Sequence, residues 1–175
     1  DQLQKLLNVL DNDVDLSLTR AGDRAVSLKV KNGSVSVDYV LSDLTVIPDP
    51  PALKRLPDFQ TQVKLDENFI DTFIKGKSAL ADVDMFTFVN DTDGKLNAVI
   101  GYSSTNTNRV TIPVETTTNG LTEPVTFNAN LFKEVLNANK ECSKAVLQVS
   151  SSGLAHIEFR IDDFNVKYYL VSQQV

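Results

Sequence analysis

The sequence predicts an α+β fold assembled from a repeated unit of one amphipathic helix followed by three antiparallel strands. Three observations predict it. Apolar residues recur at helical spacing in three short segments. Each of these segments precedes three runs whose apolar residues alternate with period two. Turn-forming residues, two of them in Asn-Gly or Asp-Gly pairs, separate the runs.

The first helix is predicted over residues 2–10, where Leu3, Leu6, Leu7 and Leu10 share one face. Strands are predicted at 14–18, 24–30 and 34–41, with Asn32-Gly33 as a hairpin signal between the last two. Residues 48–58, PDPPALKRLPD, hold four prolines, which resist both helix and central strand, so this stretch reads as an extended connector. A strand at 59–65 leads to a second helix, capped by Asp66, in which Phe69, Ile70, Phe73 and Ile74 share a face and Gly76 marks the end. Strands follow at 85–90, 95–102 and 109–115. A further strand at 124–128 leads to a third helix over 129–144, capped by Asn128 and apolar along Leu131, Phe132, Val135, Leu136 and Ala138. Strands at 145–150, 154–161 and 165–171 complete the pattern.

The helix-plus-three-strands unit thus occurs three times, twice with a leading strand and once without. The outer copies match in detail: Leu3 and Lys5 correspond to Leu131 and Lys133, and SVSVDYVLS corresponds to FNVKYYLVS, at an offset of 128 to 130 residues. Three regions are expected: 1–47 with one copy of the unit, 48–58 as the connector, and 59–175 with two copies. The start at Asp1 without Met is read as truncation or cleavage, and no signal peptide is expected.

Composition narrows the function. Hydrophobic residues make up 42% of the 175, enough for a packed core and too many for a disordered chain. No apolar run reaches the roughly 18 residues a membrane helix needs, so no membrane partner is expected. A single cysteine, Cys142, excludes an internal disulfide and suits a reducing compartment, so a cytoplasmic location is expected. His156 sits in an alternating strand and Cys142 in a helix without a partner motif, so neither reads as catalytic. There is no CxxC or HxxxH spacing and no phosphate-binding glycine loop. Asp91-Thr92-Asp93-Gly94 lacks the downstream ligands of a calcium loop and reads better as a hairpin turn. No catalytic residue, metal site or cofactor is expected, and the chain is read as non-enzymatic.

What stands out instead is basic residues at helical spacing. Lys133, Asn137, Lys140 and Lys144 fall at i, i+4, i+7 and i+11 and would form one stripe. The other helices contribute Lys5 with Asn8, and Lys75 and Lys77 with Asn68 and Thr72. Asp71 and Glu134 are the acidic exceptions. A solvated helix face is one reading. The other is a surface that follows phosphates without reading bases, despite a net charge of −6.

On the duplicated unit, the proline-rich connector and the ending IEFRIDDFNVKYYLVSQQV, the sequence resembles the DNA sliding clamps. These are the polymerase processivity factors, and the likeness is to the proliferating-cell-nuclear-antigen and bacteriophage type. The resemblance implies a DNA-clamp-like fold with antiparallel sheets outside and helices on one face, lining a ring around duplex DNA. In such clamps each domain joins two of the units, so 1–47 would be the second half of an N-terminal clamp domain whose first half is missing, and 59–175 a whole C-terminal clamp domain. Lys5, Lys75, Lys77, Lys133, Asn137, Lys140 and Lys144 would then face DNA. It also implies a homo-oligomer, a trimer for the full-length protein, joined by pairing of 34–41 in one copy with 109–115 in the next. A DNA polymerase and a clamp loader would be partners, with the host bacterial cytoplasm as the location if a phage encodes it. Partner peptides would dock on Val46, Ile47, Leu53, Leu56, Tyr169 and Val171, for which ordinary core and linker packing is the alternative. A non-catalytic adaptor that forms no ring is the competing function.

Overall fold

Alternation and turn chemistry translate almost directly into strands. A computed structural model of the chain describes residues 2–10, 13–49, 55–105 and 107–173. It divides into two units, Asp1–Lys54 and Arg55–Val175. Residues 50–54 of the proline-rich connector lie outside the described residues.

The first unit holds helix α1 (Gln2–Leu7) and strands β1 (Asp15–Ala21), β2 (Arg24–Asn32) and β3 (Val35–Val40) in one antiparallel sheet of order β1-β2-β3. The helix is shorter than the apolar spacing implies. Beyond Leu7 the backbone tightens, with the Val9 and Leu10 N–H groups donating to the carbonyls of Leu6 and Leu7. Asn32 pairs with Val35, so the two-residue hairpin loop is Gly33-Ser34 rather than Asn32-Gly33. Gly33 takes φ +53°, the left-handed region such a loop requires. Val30 and Val37, partners across β2 and β3, are the buried centre of this unit. A short 3-10 turn, Leu44–Val46, follows the sheet.

The second unit contains two helices and two sheets. Helix α2 (Glu67–Ala79) and helix α3 (Ala129–Ala138) lie against each other. Strands β4 (Thr61–Lys64), β8 (Thr116–Thr118), β10 (Lys144–Ser150), β11 (Leu154–Ile161) and β12 (Phe164–Val171) form one sheet of order β12-β11-β10-β4-β8. Strands β5 (Met85–Asn90), β6 (Leu96–Ile100), β7 (Val110–Pro113) and β9 (Val125–Asn128) form the other, of order β7-β6-β5-β9.

The two helix-plus-three-strands copies exchange their leading strands. β4 precedes α2 but pairs with β10 of the other copy, and β9 precedes α3 but pairs with β5. Neither copy is therefore a separate folding unit, which explains one shared core. Phe73 of α2 meets Phe86 of β5 edge-on at 4.9 Å and Phe132 of α3 at 4.8 Å, while Phe86 and Phe132 stack at 4.7 Å. All three are fully buried. Burying each such ring contributes on the order of 1.5–3 kcal/mol, with roughly 0.5–1.5 kcal/mol more per well-oriented aromatic pair.

The repeat also holds between units. The hairpin between β2 and β3 closes on Asn32 and Val35, and that between β11 and β12 closes on Ile161 and Phe164. Both positions differ by 129 (161 − 32 and 164 − 35), within the offset read from sequence.

Candidate functional site

The helix ends decide where the basic residues go. α2 does not stop at Gly76 but continues to Ala79, with the Leu80 N–H closing on the Gly76 carbonyl. Gly76 serves a different purpose. A Cβ there would lie 3.0 Å from Cγ1 of Val110 and 3.4 Å from Cδ1 of Ile100, so glycine permits the helix to approach the β6–β7 strands. The longer helix carries Lys77 inward. It is 3% exposed, and its Nζ donates to the carbonyl oxygens of Leu80 and Ala81 at 3.3 and 2.9 Å. Both carbonyls lie just past the end of the helix, and that of Leu80 also accepts from the Val83 N–H at 3.1 Å. Lys77 is thus a terminating residue of α2 and does not face outward, contrary to the sequence expectation. Lys75 is exposed and sits 3.6 Å from Asp71, one turn earlier.

α3 ends earlier than the predicted range of 129–144. It stops at Ala138, where the buried Asn139 side chain donates to the Val135 carbonyl at 2.7 Å and to the Tyr168 hydroxyl at 3.1 Å. That tertiary bond takes the chain out of helix. Lys133 and Asn137 therefore stand on the helix, half-buried and exposed respectively. Lys140 lies in the turn beyond it and Lys144 opens β10. The expected four-residue stripe is broken after Asn137. The charged side chains left on the two helices outside the core are Lys75 and Lys133 against Glu67, Asp71 and Glu134, one negative charge in excess.

In the first unit, Lys5 is exposed on α1. Val46 (73% exposed) and Ile47 lie at and just after the 3-10 turn Leu44–Val46. Asp43 holds this turn: its carboxylate accepts from the Thr45 N–H at 3.0 Å and the Thr45 hydroxyl at 2.9 Å, and pairs with Arg24. These contacts, led by the Thr45 N–H, hold its carboxyl below the ordinary range. Leu53 lies outside the described residues.

In the second unit, Leu56 and Val171 come together with Pro57 and Leu154 around a groove of about 590 Å³. Val171 pairs directly with Leu154 across β11 and β12. Tyr169 is two residues before Val171 on the same face, stacked on His156. Pro57 and Leu154 were missed because each looks like ordinary connector or strand. Pro57 adjoins Leu56 in the chain, and only the register brings Leu154 to Val171.

Among the described residues, no three potential metal ligands converge. The Asp91 carboxylate accepts from the N–H groups of Asp93 and Lys95, both at 2.9 Å, as a hairpin turn requires. Burial pushes the Cys142 thiol up, away from the reactive thiolate. No described helix is long and apolar enough to cross a membrane.

No family model and no curated protein matches the sequence. Solved structures do. The proliferating cellular nuclear antigen of Entamoeba histolytica matches at a TM-score of 0.69 and 18% identity, over 99% of this chain and 69% of that one. PCNA of A. fulgidus, seen with the C-terminal region of FEN-1 bound, matches at 0.73 and 16% identity, over 99% and 70%. At such identity the likeness speaks for architecture, and it extends along essentially the whole chain. Together with the exchanged leading strands and the paired helices, it establishes that this chain has the sliding-clamp fold of proliferating cell nuclear antigen.

Proposed function

We propose that the protein acts as a sliding clamp: a homo-oligomer that encircles duplex DNA without reading its sequence and tethers a replicative DNA polymerase. The observation that carries the proposal is the match to two PCNA structures over 99% of the chain. Two features support it. β3 and β7 are both edge strands, so each leaves a row of backbone groups open for pairing between copies, β3 of one with β7 of the next. The groove at Leu56, Pro57, Leu154 and Val171 offers a place for a short apolar partner peptide, and the A. fulgidus protein is seen with the C-terminal region of FEN-1 bound. In this reading the protein is non-catalytic and needs no cofactor. Topological linkage makes tight phosphate contacts unnecessary, so Lys5, Lys75, Lys133 and Asn137 suffice as weak sliding contacts.

The excess negative charge on α2 and α3 favours a second reading, a clamp-fold adaptor that binds proteins and forms no ring. One experiment separates them. The protein is loaded onto nicked circular DNA, and retention is measured by gel filtration before and after linearisation. A clamp is retained on the circle, slides off the linear form and sediments as an oligomer. A monomer that is equally retained on both, or on neither, overturns the proposal in favour of the adaptor.

A further inference from the structure

The five-stranded sheet has a second face whose chemistry the clamp reading does not use. Alternate residues of β4, β10, β11 and β12 enter the core, among them Val63, Leu147, Ile157 and Leu170. The others point away from it, and the register sorts them into rows. Lys144 pairs with Arg160 and Arg160 with Asn165. Lys64, Val146, Glu158 and Lys167 form the next row, and Gln62, Gln148, His156 and Tyr169 the third. The rows carry Lys64, Lys144, Arg160 and Lys167 against Glu158 alone, three positive charges in excess on a chain of net charge −6. Glu158 is itself engaged by Lys167 at 3.8 Å. Asp162 and Asp163, in the turn joining β11 to β12, bound this cationic area at one end.

Between the rows runs a groove of about 490 Å³, lined by Gln62, Lys144, Gln148, His156, Arg160 and Asn165 among others. Its floor is a chain of hydrogen bonds. The Gln148 amide donates to Oε1 of Gln62 at 3.4 Å, and Oε1 of Gln148 lies 3.0 Å from Nδ1 of His156. With the Gln148 oxygen as acceptor, the imidazole proton sits on Nδ1 and Nε2 keeps its lone pair. His156 is 9% exposed, and its Nε2 is the one buried side-chain nitrogen or oxygen with no partner among the described residues. The face thus offers an unmet acceptor beside the exposed cations Lys144 and Arg160, the latter donating from Nε to the Asp162 carbonyl at 3.4 Å.

We propose that this sheet face binds an extended acidic segment of a partner protein, with its carboxylates on Lys144 and Arg160 and a backbone N–H turned to His156. Charge complementarity selects an acidic ligand. The imidazole acceptor favours a polypeptide backbone, which brings an N–H at every residue, over a phosphodiester backbone, which brings acceptors only. This surface borders the groove at Leu56 and Val171, since Val171 lies two residues beyond Tyr169 on the same face, and its use does not depend on ring formation.

The test is fluorescence anisotropy at low ionic strength, with a fluorescein-labelled ten-residue peptide of alternating Glu and Ser. The protein is expected to bind it, and Lys144→Glu with Arg160→Glu to weaken binding at least tenfold. Lys75→Glu, on α2, should change it less than threefold. Both reversed residues are exposed, thermal melting checks the fold, and the milder Lys144→Ala, Arg160→Ala pair must weaken binding in the same direction. The proposal is overturned if the peptide does not bind, or binds the double variants as it binds the parent. Tighter binding of a labelled ten-residue oligothymidylate through the same two residues overturns it in favour of a nucleic-acid surface.

Discussion

The imidazole of His156 stacks on the phenol ring of Tyr169, with centroids 4.9 Å apart and planes 24° from parallel. The two residues are direct partners across β11 and β12, and Phe59 lies 6.0 Å from the imidazole on a tilted ring. A charged imidazolium would lose hydration here. Its Nε2–H would also be a buried donor without a partner.

That packing predicts a pH dependence of stability. Burial is the largest influence on His156 and lowers its pKa, Glu158 opposes it, and Lys167 adds to it. A histidine whose folded pKa lies below its unfolded value of about 6.5 contributes fully above that pH. Its contribution falls as the pH drops below 6.5, because the unfolded chain takes up a proton that the fold resists. The loss ends below the folded pKa. One group limits the slope to about 1.4 kcal/mol per pH unit. His156→Phe keeps a ring against Tyr169 and removes the titration. Melting temperatures measured from pH 7.5 to 5 should fall more steeply for the parent than for the variant. Parallel curves would show that the imidazole is not the group responsible.

Lys77 gives a sharper contrast with its neighbour. Removing its ammonium takes the donor from the Ala81 carbonyl and one of two donors from the Leu80 carbonyl, which keeps the Val83 N–H. Lys77→Met keeps the aliphatic stem and should cost about 1–3 kcal/mol in urea unfolding. Lys75→Ala loses only an exposed ion pair with Asp71 and should cost less than about 0.5 kcal/mol. Equal costs would mean that Lys77 is not acting as a helix terminator.

Lys77 also marks where sequence stops being informative. Strands were legible because alternation is a local signal: Met85–Asn90 and Leu154–Ile161 match the predicted runs residue for residue. The clamp-like architecture was legible because the same signal repeats. Helix ends were not, because tertiary contacts set them. Gly76 reads as a cap but exists for the approach of Val110, and Asn139 reads as helical but turns to bond Tyr168. Both errors redirect lysines. Lys77 turns inward, and Lys140 and Lys144 leave the helix. β8, a run of three threonines at Thr116–Thr118, has no alternation to betray it and is held by pairing with β4. The Gln62, Gln148, His156 and Tyr169 row spans four strands and has no linear signature at all.

The two caps of the second unit permit a test of the internal repeat. Asp66 accepts from the Phe69 N–H at 2.7 Å at the start of α2, and Asn128 accepts from the Leu131 N–H at 2.8 Å at the start of α3. Each side chain satisfies one donor that its helix leaves open, three residues on. Asp66→Ala and Asn128→Ala should therefore each cost about 1 kcal/mol, while Asp66→Asn, which keeps the acceptor, should cost only a few tenths. The leading strands are exchanged, with β4 on β10 and β9 on β5, so fraying either helix start loosens a sheet completed by the other copy. The double alanine variant should unfold in one cooperative urea transition, with its cost near the sum of the two. Two separate transitions would mean that the halves fold independently, and the shared Phe73, Phe86 and Phe132 core would not be the link between them.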